Sequence, residues 1–314
     1  MTQTASQSPS TVRSDLRRRA ARSGENFSVL SPLLPRDLVD DFASVYAFCR
    51  RADDIADNTE PTTEGREAAL QNLKAFRVAL QSHLDPAVDP IEHPDGAMLA
   101  ELARTVSRRQ VRHGHLYRLL DAFERDQRQT RYETWDELLS YCECSANPVG
   151  RIVLEMGGLD TTEPTVADIV AWSDMVCTAL QLTNHWQDVR RDLLERDRVY
   201  LPEQETGLTD ASLREMIADP KNPELRVRFI RSLRPLVQRT ESMYREARPL
   251  AKALADTNAR RIAPTVRLLA SGGEATLRKI ERTGCTTLFK RPAIGRLTKA
   301  VLVGRAAVET RRRR

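Results

Sequence analysis

The chain has no run near the roughly 18 consecutive apolar residues that a bilayer-spanning helix needs. Its opening, MTQTASQSPSTVRSDLRRRAARSG, lacks the apolar centre of a secretory signal. These two absences predict a cytoplasmic chain, at most peripheral to the inner face of a membrane. Aromatic residues are scarce at 5% and the mean hydropathy is −0.48, so the fold is globular but rather polar. Cysteines are few and odd in number (Cys49, Cys142, Cys144, Cys177, Cys285) and sit within apolar helical patterns. They exclude a disulfide framework and read as small buried hydrophobes. Strand-like alternation is absent, and no GxGxxG follows a strand, which leaves no visible NADPH site. The net charge of +5 gathers at the ends, at Arg17 to Arg19 and Arg311 to Arg314, with no aromatic-interleaved basic platform. Nucleic acid is therefore not an expected partner, whereas weak attraction of the tails to anionic lipid headgroups is.

What is present is helix after helix. Apolar residues recur at three- and four-residue spacing through 36–58, 64–84, 96–126, 132–157, 165–195, 209–217, 223–256 and 259–284, and strings rich in Pro and Gly separate several of these. Thr62, with Glu64 nearby, and Thr134, three residues before Glu137, fit helix starts. No repeat, low-complexity core or linker divides the chain. The pattern predicts one all-α helix bundle over residues 25–292, behind a polar, disordered segment 1–24 and ahead of a basic C-terminal helix and tail, 293–314. Trp135, Trp172 and Trp186 read as core anchors. His113 and His115, beside Arg108, Arg109 and Arg112, read as part of a basic surface and not as a metal site.

Two acidic pairs resist such an account. Asp53 and Asp57 lie in YAFCRRADDIAD, and Asp188 and Asp192 in NHWQDVRRD. The i, i+4 spacing puts both carboxylates of a pair on one helical face, one turn apart. Tyr46 and Arg50 extend the first stripe, and Gln181 and Asn184 the second. Ala47, Ile55 and Ala56, like Leu180, Thr183 and Trp186, flank these stripes, so the helices are buried on more than one side. A buried row of carboxylates is costly unless cations compensate it. Carboxylates are hard ligands suited to Mg²⁺, and two facing pairs in a bundle could hold two or three such ions against a diphosphate.

At these residues the chain resembles the squalene and phytoene synthase family, whose members act on C15 or C20 prenyl diphosphates in an all-α isoprenoid-synthase bundle with a central prenyl-diphosphate cavity. The resemblance spans roughly residues 25–292. It rests on ENFSVLSPLLP (25–35), YAFCRRADDIAD (46–57), YCECSANPVGRIVL (141–154), QLTNHWQDVRRD (181–192) and RVYLP (198–202). SANPVGR and ENF are similar to a branch of bacterial hydroxysqualene synthases, which ionise presqualene diphosphate and let water capture the rearranged cation. Two departures stand out. Many condensing members carry an aromatic residue near the position of Gly273 in SGGEATLRKI, and His185 replaces a more usual bulky apolar residue.

The resemblance implies Mg²⁺ held by Asp53, Asp57, Asp188 and Asp192. Arg50, and less directly Arg191 and Tyr200, would meet phosphate oxygens. Tyr46 and Tyr141 would offer a ring face to a carbocation and a hydroxyl to diphosphate or water, and Gln181 and Asn184 would place that water. Phe27, Ala146, Val149 and Leu180 would line an apolar channel, and Gly150 would permit close approach of chain or substrate. Pro148 is expected to bend its helix. A lipidic substrate also implies transient contact with the membrane surface and with pathway enzymes. The competing readings are head-to-head condensation within the same family, and a non-catalytic relative that serves as a binding or assembly factor.

Overall fold

Helices with one apolar stripe need a surface against which to bury it, and two long helices supply most of that surface here. A computed structural model describes residues 8–21 and 30–311, and among these residues the only bridge of extended chain is the pairing of Arg131 with Val199. In chain order the helices are α1 (Pro9–Ala21), α2 (Val39–Asp57), α3 (Thr63–Leu84), α4 (Gly96–Arg109), α5 (His113–Asp126), α6 (Trp135–Ser145) and α7 (Asn147–Met156). They continue as α8 (Ala167–Glu195), α9 (Glu203–Thr206), α10 (Asp210–Ala218), α11 (Pro223–Glu246), α12 (Leu250–Ala255), α13 (Ala263–Arg282) and α14 (Arg296–Arg311). Helix α2 packs against α1, α3, α4 and α5, while α8 packs against α6, α7, α11 and α13.

The core accordingly has two clusters. One gathers Phe48, Phe76, Leu80, Leu120 and Ile262 with Ile169 and Val176 from the start of α8. The other gathers Tyr132, Leu138, Trp186, Phe229 and Leu233 with Val189 and Leu193 from its end. Leu180 packs against both. Helix α8 is thus a shared wall, and its last two turns carry Asp188 and Asp192 along the second cluster.

Local chemistry explains most boundaries. Thr62 accepts a hydrogen bond from Gly65 N at 3.1 Å and Thr134 one from Glu137 N at 3.1 Å, closing the starts of α3 and α6. Three predicted helices are split. The 96–126 segment breaks at Gln110, whose φ of 55° ends α4 in a left-handed cap without the usual glycine. The 132–157 segment breaks at Ala146, and Pro148 sits in the first turn of α7, so it starts a helix and bends none. The 223–256 segment divides into α11 and α12 around Pro249.

The N-terminal expectation also needs correction. Within 1–24, residues 9–21 form α1, because Val12, Leu16 and Ala20 make an i, i+4, i+8 stripe that buries against Ala43 and Ala47 of α2. Arg17 pairs with Asp40 across the same contact. His115 is likewise not on the surface: it is buried and its Nε2 lies 3.1 Å from Glu155 Oε1, a carboxylate that also takes Arg112, while His113 is exposed. Trp135 and Trp186 are buried as expected, and Trp172 is partly so.

Candidate functional site

The carboxylates of α2 and α8 lie on a polar seam between the two clusters, and arginines join them. Arg196, just past the end of α8, places Nη2 2.6 Å from Asp57 Oδ2 and Nη1 3.5 Å from Asp192 Oδ1. One guanidinium therefore spans the two aspartate pairs. Arg198 Nη1 donates to Asp57 Oδ1 at 2.8 Å and lies 4.0 Å from Asp126. Arg191 reaches Asp188 at 2.9 Å and Asp192 at 3.3 Å. Arg291, from the segment that follows α13, pairs with Asp188, and beside it Gln187 donates to the carbonyl of Pro292 at 2.6 Å. Arg50 binds Asp53 at 3.0 Å and Asp54 at 2.6 Å.

The compensation is incomplete. Burial pushes the Asp192 carboxyl up to about 6 against the pull of Arg191 and Arg196, and Asp188 adds to the rise. Asp53 is also pushed up to about 6, by burial first and then by Asp57, with Arg50 and Arg196 opposing. Because the arginines do not fully offset the cost of burying these charges, a more compact cation has a place here, and an all-oxygen donor set suits a hard divalent one. The four aspartates thus fit a metal in chemistry, although among the described residues no group of three or more His, Cys, Asp or Glu is already gathered to coordinate one.

Behind the aspartates lies an aromatic cluster that sequence reasoning caught only in part. Asp126, at the end of α5, is fully buried and accepts from Tyr141 Oη at 2.8 Å and from Tyr200 Oη at 3.0 Å. Burial raises its pKa, with Arg198 and the two tyrosines pulling the other way. The rings of Tyr141 and Tyr200 are 5.4 Å apart, and Tyr132 stacks on Tyr200 at 5.6 Å. His185 stacks flat on Tyr200 at 3.7 Å. The hydroxyls of Tyr141 and Tyr200, expected to meet diphosphate or water, are both given to Asp126, and the ring of Tyr200 is itself covered by His185 and Tyr132.

The other expected site residues fall in different places. Phe27 lies outside the described residues. Tyr46 is half-buried and packs towards the α1 contact as well as lying near Arg50. Gln181 is half-buried and Asn184 exposed on the aspartate face of α8, and neither amide has a hydrogen-bond partner among the described residues. Ala146 is buried at the α6–α7 break, and Val149 is exposed. Gly150 serves chain packing: a Cβ there would come within 2.6 Å of Cys177 Sγ and 2.7 Å of Ser173 Oγ on α8. The space an aromatic residue at 273 would need is already filled, because a Cβ on Gly273 would run into the hydroxyl of Tyr244 and the side chain of Leu180. A buried ring is thus supplied there by α11. Two surface hollows, of about 680 Å³ beside Thr206 and Arg231 and about 500 Å³ between α13 and α14, involve none of the site residues.

Asp126, Arg196, Arg198 and Arg291 were not singled out as site residues from the sequence. Arg196 and Arg198 lie within six residues of Asp192, and RVYLP contains the second, so proximity to a motif was the available signal. Asp126 and Arg291 carried none, since their partners Tyr200 and Asp188 are 74 and 103 positions away.

Comparison with known proteins matches this arrangement to one group. The squalene/phytoene synthase family model covers residues 20–298. A hydroxysqualene synthase of Rhodopseudomonas palustris is 33% identical over 251 residues, 78% of this chain and 77% of its own length. A presqualene diphosphate synthase of Sinorhizobium fredii is 28% identical over 254 residues, 79% of this chain and 81% of its own. The crystal structure of squalene synthase HpnC from Alicyclobacillus acidocaldarius superposes with a TM-score of 0.66 at 32% identity, covering 88% of this chain and 97% of that one. With its family model matched over most of its length and its all-α fold shared, the chain belongs to the squalene/phytoene synthase family.

Proposed function

We propose that this protein ionises presqualene diphosphate with the help of Mg²⁺ and lets water capture the rearranged cation, releasing hydroxysqualene and diphosphate. The observation that carries the reading is the span of Arg196 from Asp57 to Asp192, which brings the two aspartate pairs to one polar seam backed by tyrosines. The 33% identity to a hydroxysqualene synthase supports this choice within the family.

Family members use divalent metal ions, and Asp53, Asp57, Asp188 and Asp192 are the residues that would hold them. Bound there, the metal would neutralise the charge that builds on the diphosphate as its C–O bond breaks. The chain's own groups do the rest. Arg50, Arg191, Arg196 and Arg291 are mono- or bidentate donors already at the carboxylates, placed to exchange an aspartate oxygen for a phosphate oxygen. The ring of Tyr141, held through its hydroxyl by Asp126, gives a cation an electron-rich surface that cannot trap it. Gln181 and Asn184 keep amides available for water or phosphate.

Asp53→Asn and Asp188→Asn should each abolish Mg²⁺-dependent diphosphate release with the helical circular dichroism unchanged. Turnover retained in both variants would remove the metal assignment. Condensation of two farnesyl diphosphates remains the second reading, favoured by the broad match to a presqualene diphosphate synthase. Supplying farnesyl diphosphate and presqualene diphosphate separately and identifying products by mass spectrometry separates the two.

A further inference from the structure

His185 belongs to the aromatic cluster, and the proposed reaction has so far given its ring nitrogens no role. It lies three residues before Asp188 and seven before Asp192, on the same side of α8. Its ring is buried, lies flat on Tyr200 at 3.7 Å and is 6.0 Å from the ring of Tyr141. Its Nε2 atom is fully buried and has no hydrogen-bond partner among the described residues. Leaving such an atom unsatisfied is costly, and buried polar atoms in folded proteins nearly always find a protein group or an ordered water. The neighbouring hydroxyls cannot serve it, because Tyr141 and Tyr200 both donate to Asp126. The hydroxyl of Tyr132, which stacks on the same Tyr200, is a second buried atom without a partner among the described residues. Two such atoms on residues stacked against the same tyrosine mark this cluster as a place for water.

We propose that His185 holds, through Nε2, the water that captures the cation, and so decides whether ionisation ends in an alcohol. The proposal rests on the reading of the reaction given above. The C–O bond of the cyclopropylcarbinyl diphosphate breaks and the diphosphate leaves with the electron pair. The carbon skeleton rearranges to an allylic cation, and a lone pair of the held water forms the new C–O bond. The proton lost from the resulting oxonium passes to the Nε2 lone pair of the Nδ1-protonated ring, and from there to the departed diphosphate. Burial pushes the His185 pKa down to about 3, with Arg191 acting in the same direction. The imidazole is therefore neutral before capture, keeps its lone pair, and does not repel the cation. It is also a weak enough base to hand the proton on. Water fixed to a neutral nitrogen is delivered singly, which a site that must otherwise stay dry requires.

The test uses the full-length enzyme with Mg²⁺ and presqualene diphosphate in ¹⁸O-labelled water, and reads diphosphate release and product partition side by side. His185→Phe keeps the stacking on Tyr200 and removes the nitrogen; His185→Gln keeps a polar group. In His185→Phe, diphosphate release should stay within about threefold of the parent while the labelled alcohol falls about tenfold or more in favour of hydrocarbons formed by proton loss. His185→Gln should recover part of the alcohol. An unchanged alcohol fraction in His185→Phe overturns the proposal and leaves the reaction assignment standing. Equal loss of release and alcohol in a folded His185→Phe, with no recovery in His185→Gln, also overturns it, since that result makes the ring structural. If the parent enzyme releases diphosphate without forming any alcohol, the assignment and the role of His185 fall together.

Discussion

Asp192 illustrates how a single side chain records the tension in the site. Its carboxyl ionises near 6 in the folded protein against an ordinary value of 3.8, because burial penalises the charge more than Arg191 and Arg196 relieve it. Between those values the folded state holds a proton that the unfolded state has lost, so stability falls as pH rises through this window and the full cost is present above about 6. For the metal-free protein, lowering the pH from 7 to 5 should therefore raise the thermal midpoint by an amount equivalent to roughly 1–2 kcal/mol from this residue. Asp192→Asn should flatten that part of the profile, measured by calorimetry in chelator. A midpoint that drops steadily from pH 7 to 5 in the parent protein would contradict the buried, under-compensated carboxylate. The aspartates themselves were legible in the sequence because i, i+4 spacing on a helix is a local geometric fact. Their arginine partners were not, since Arg291 reaches Asp188 only after the chain has folded back over more than a hundred residues.

Element by element, the long amphipathic runs were readable and their interruptions were not. Gln110 takes a left-handed conformation with neither Gly nor Pro to announce it, and α1 looked too arginine-rich to order until α2 presented the small residues Ala43 and Ala47 to its sparse apolar stripe. The contact of α13 with α8 and α11 makes a further point about the departure at Gly273. Absence of an aromatic residue there is not an open space, because Tyr244 occupies it and hydrogen-bonds Thr183 at 3.1 Å. Gly273→Tyr should lower stability by about 2–3 kcal/mol through overpacking, and Tyr244→Ala in the same chain should recover part of that loss. Urea unfolding of the single and double variants measures both; additive losses would show that the two side chains do not compete for one space.

Over the whole molecule, the two core clusters meet at Leu180 of α8, and Arg196 joins the aspartates of α2 to those of α8. None of the described helices is long and apolar enough to cross a membrane. Helix α1 lies at the edge of this assembly, so removing residues 1–21 should leave the remainder folded while exposing Ala43 and Ala47 and costing roughly 2–4 kcal/mol, after allowing for the entropy that α1 no longer loses. Chemical denaturation of the truncated chain checks this, and an unchanged midpoint would mean that the α1 contact contributes nothing. The sequence by itself determined that the protein is all-helical, where most helices run, and that two carboxylate pairs stand on helical faces, because each of these follows from periodicities of a few residues. Only the tertiary structure decided that Arg196 would span those pairs, that Asp126 would claim both tyrosine hydroxyls, and that His185 would have a buried nitrogen with no partner among the described residues. Those outcomes depend on which distant side chains are brought within hydrogen-bond reach, and no local periodicity encodes that.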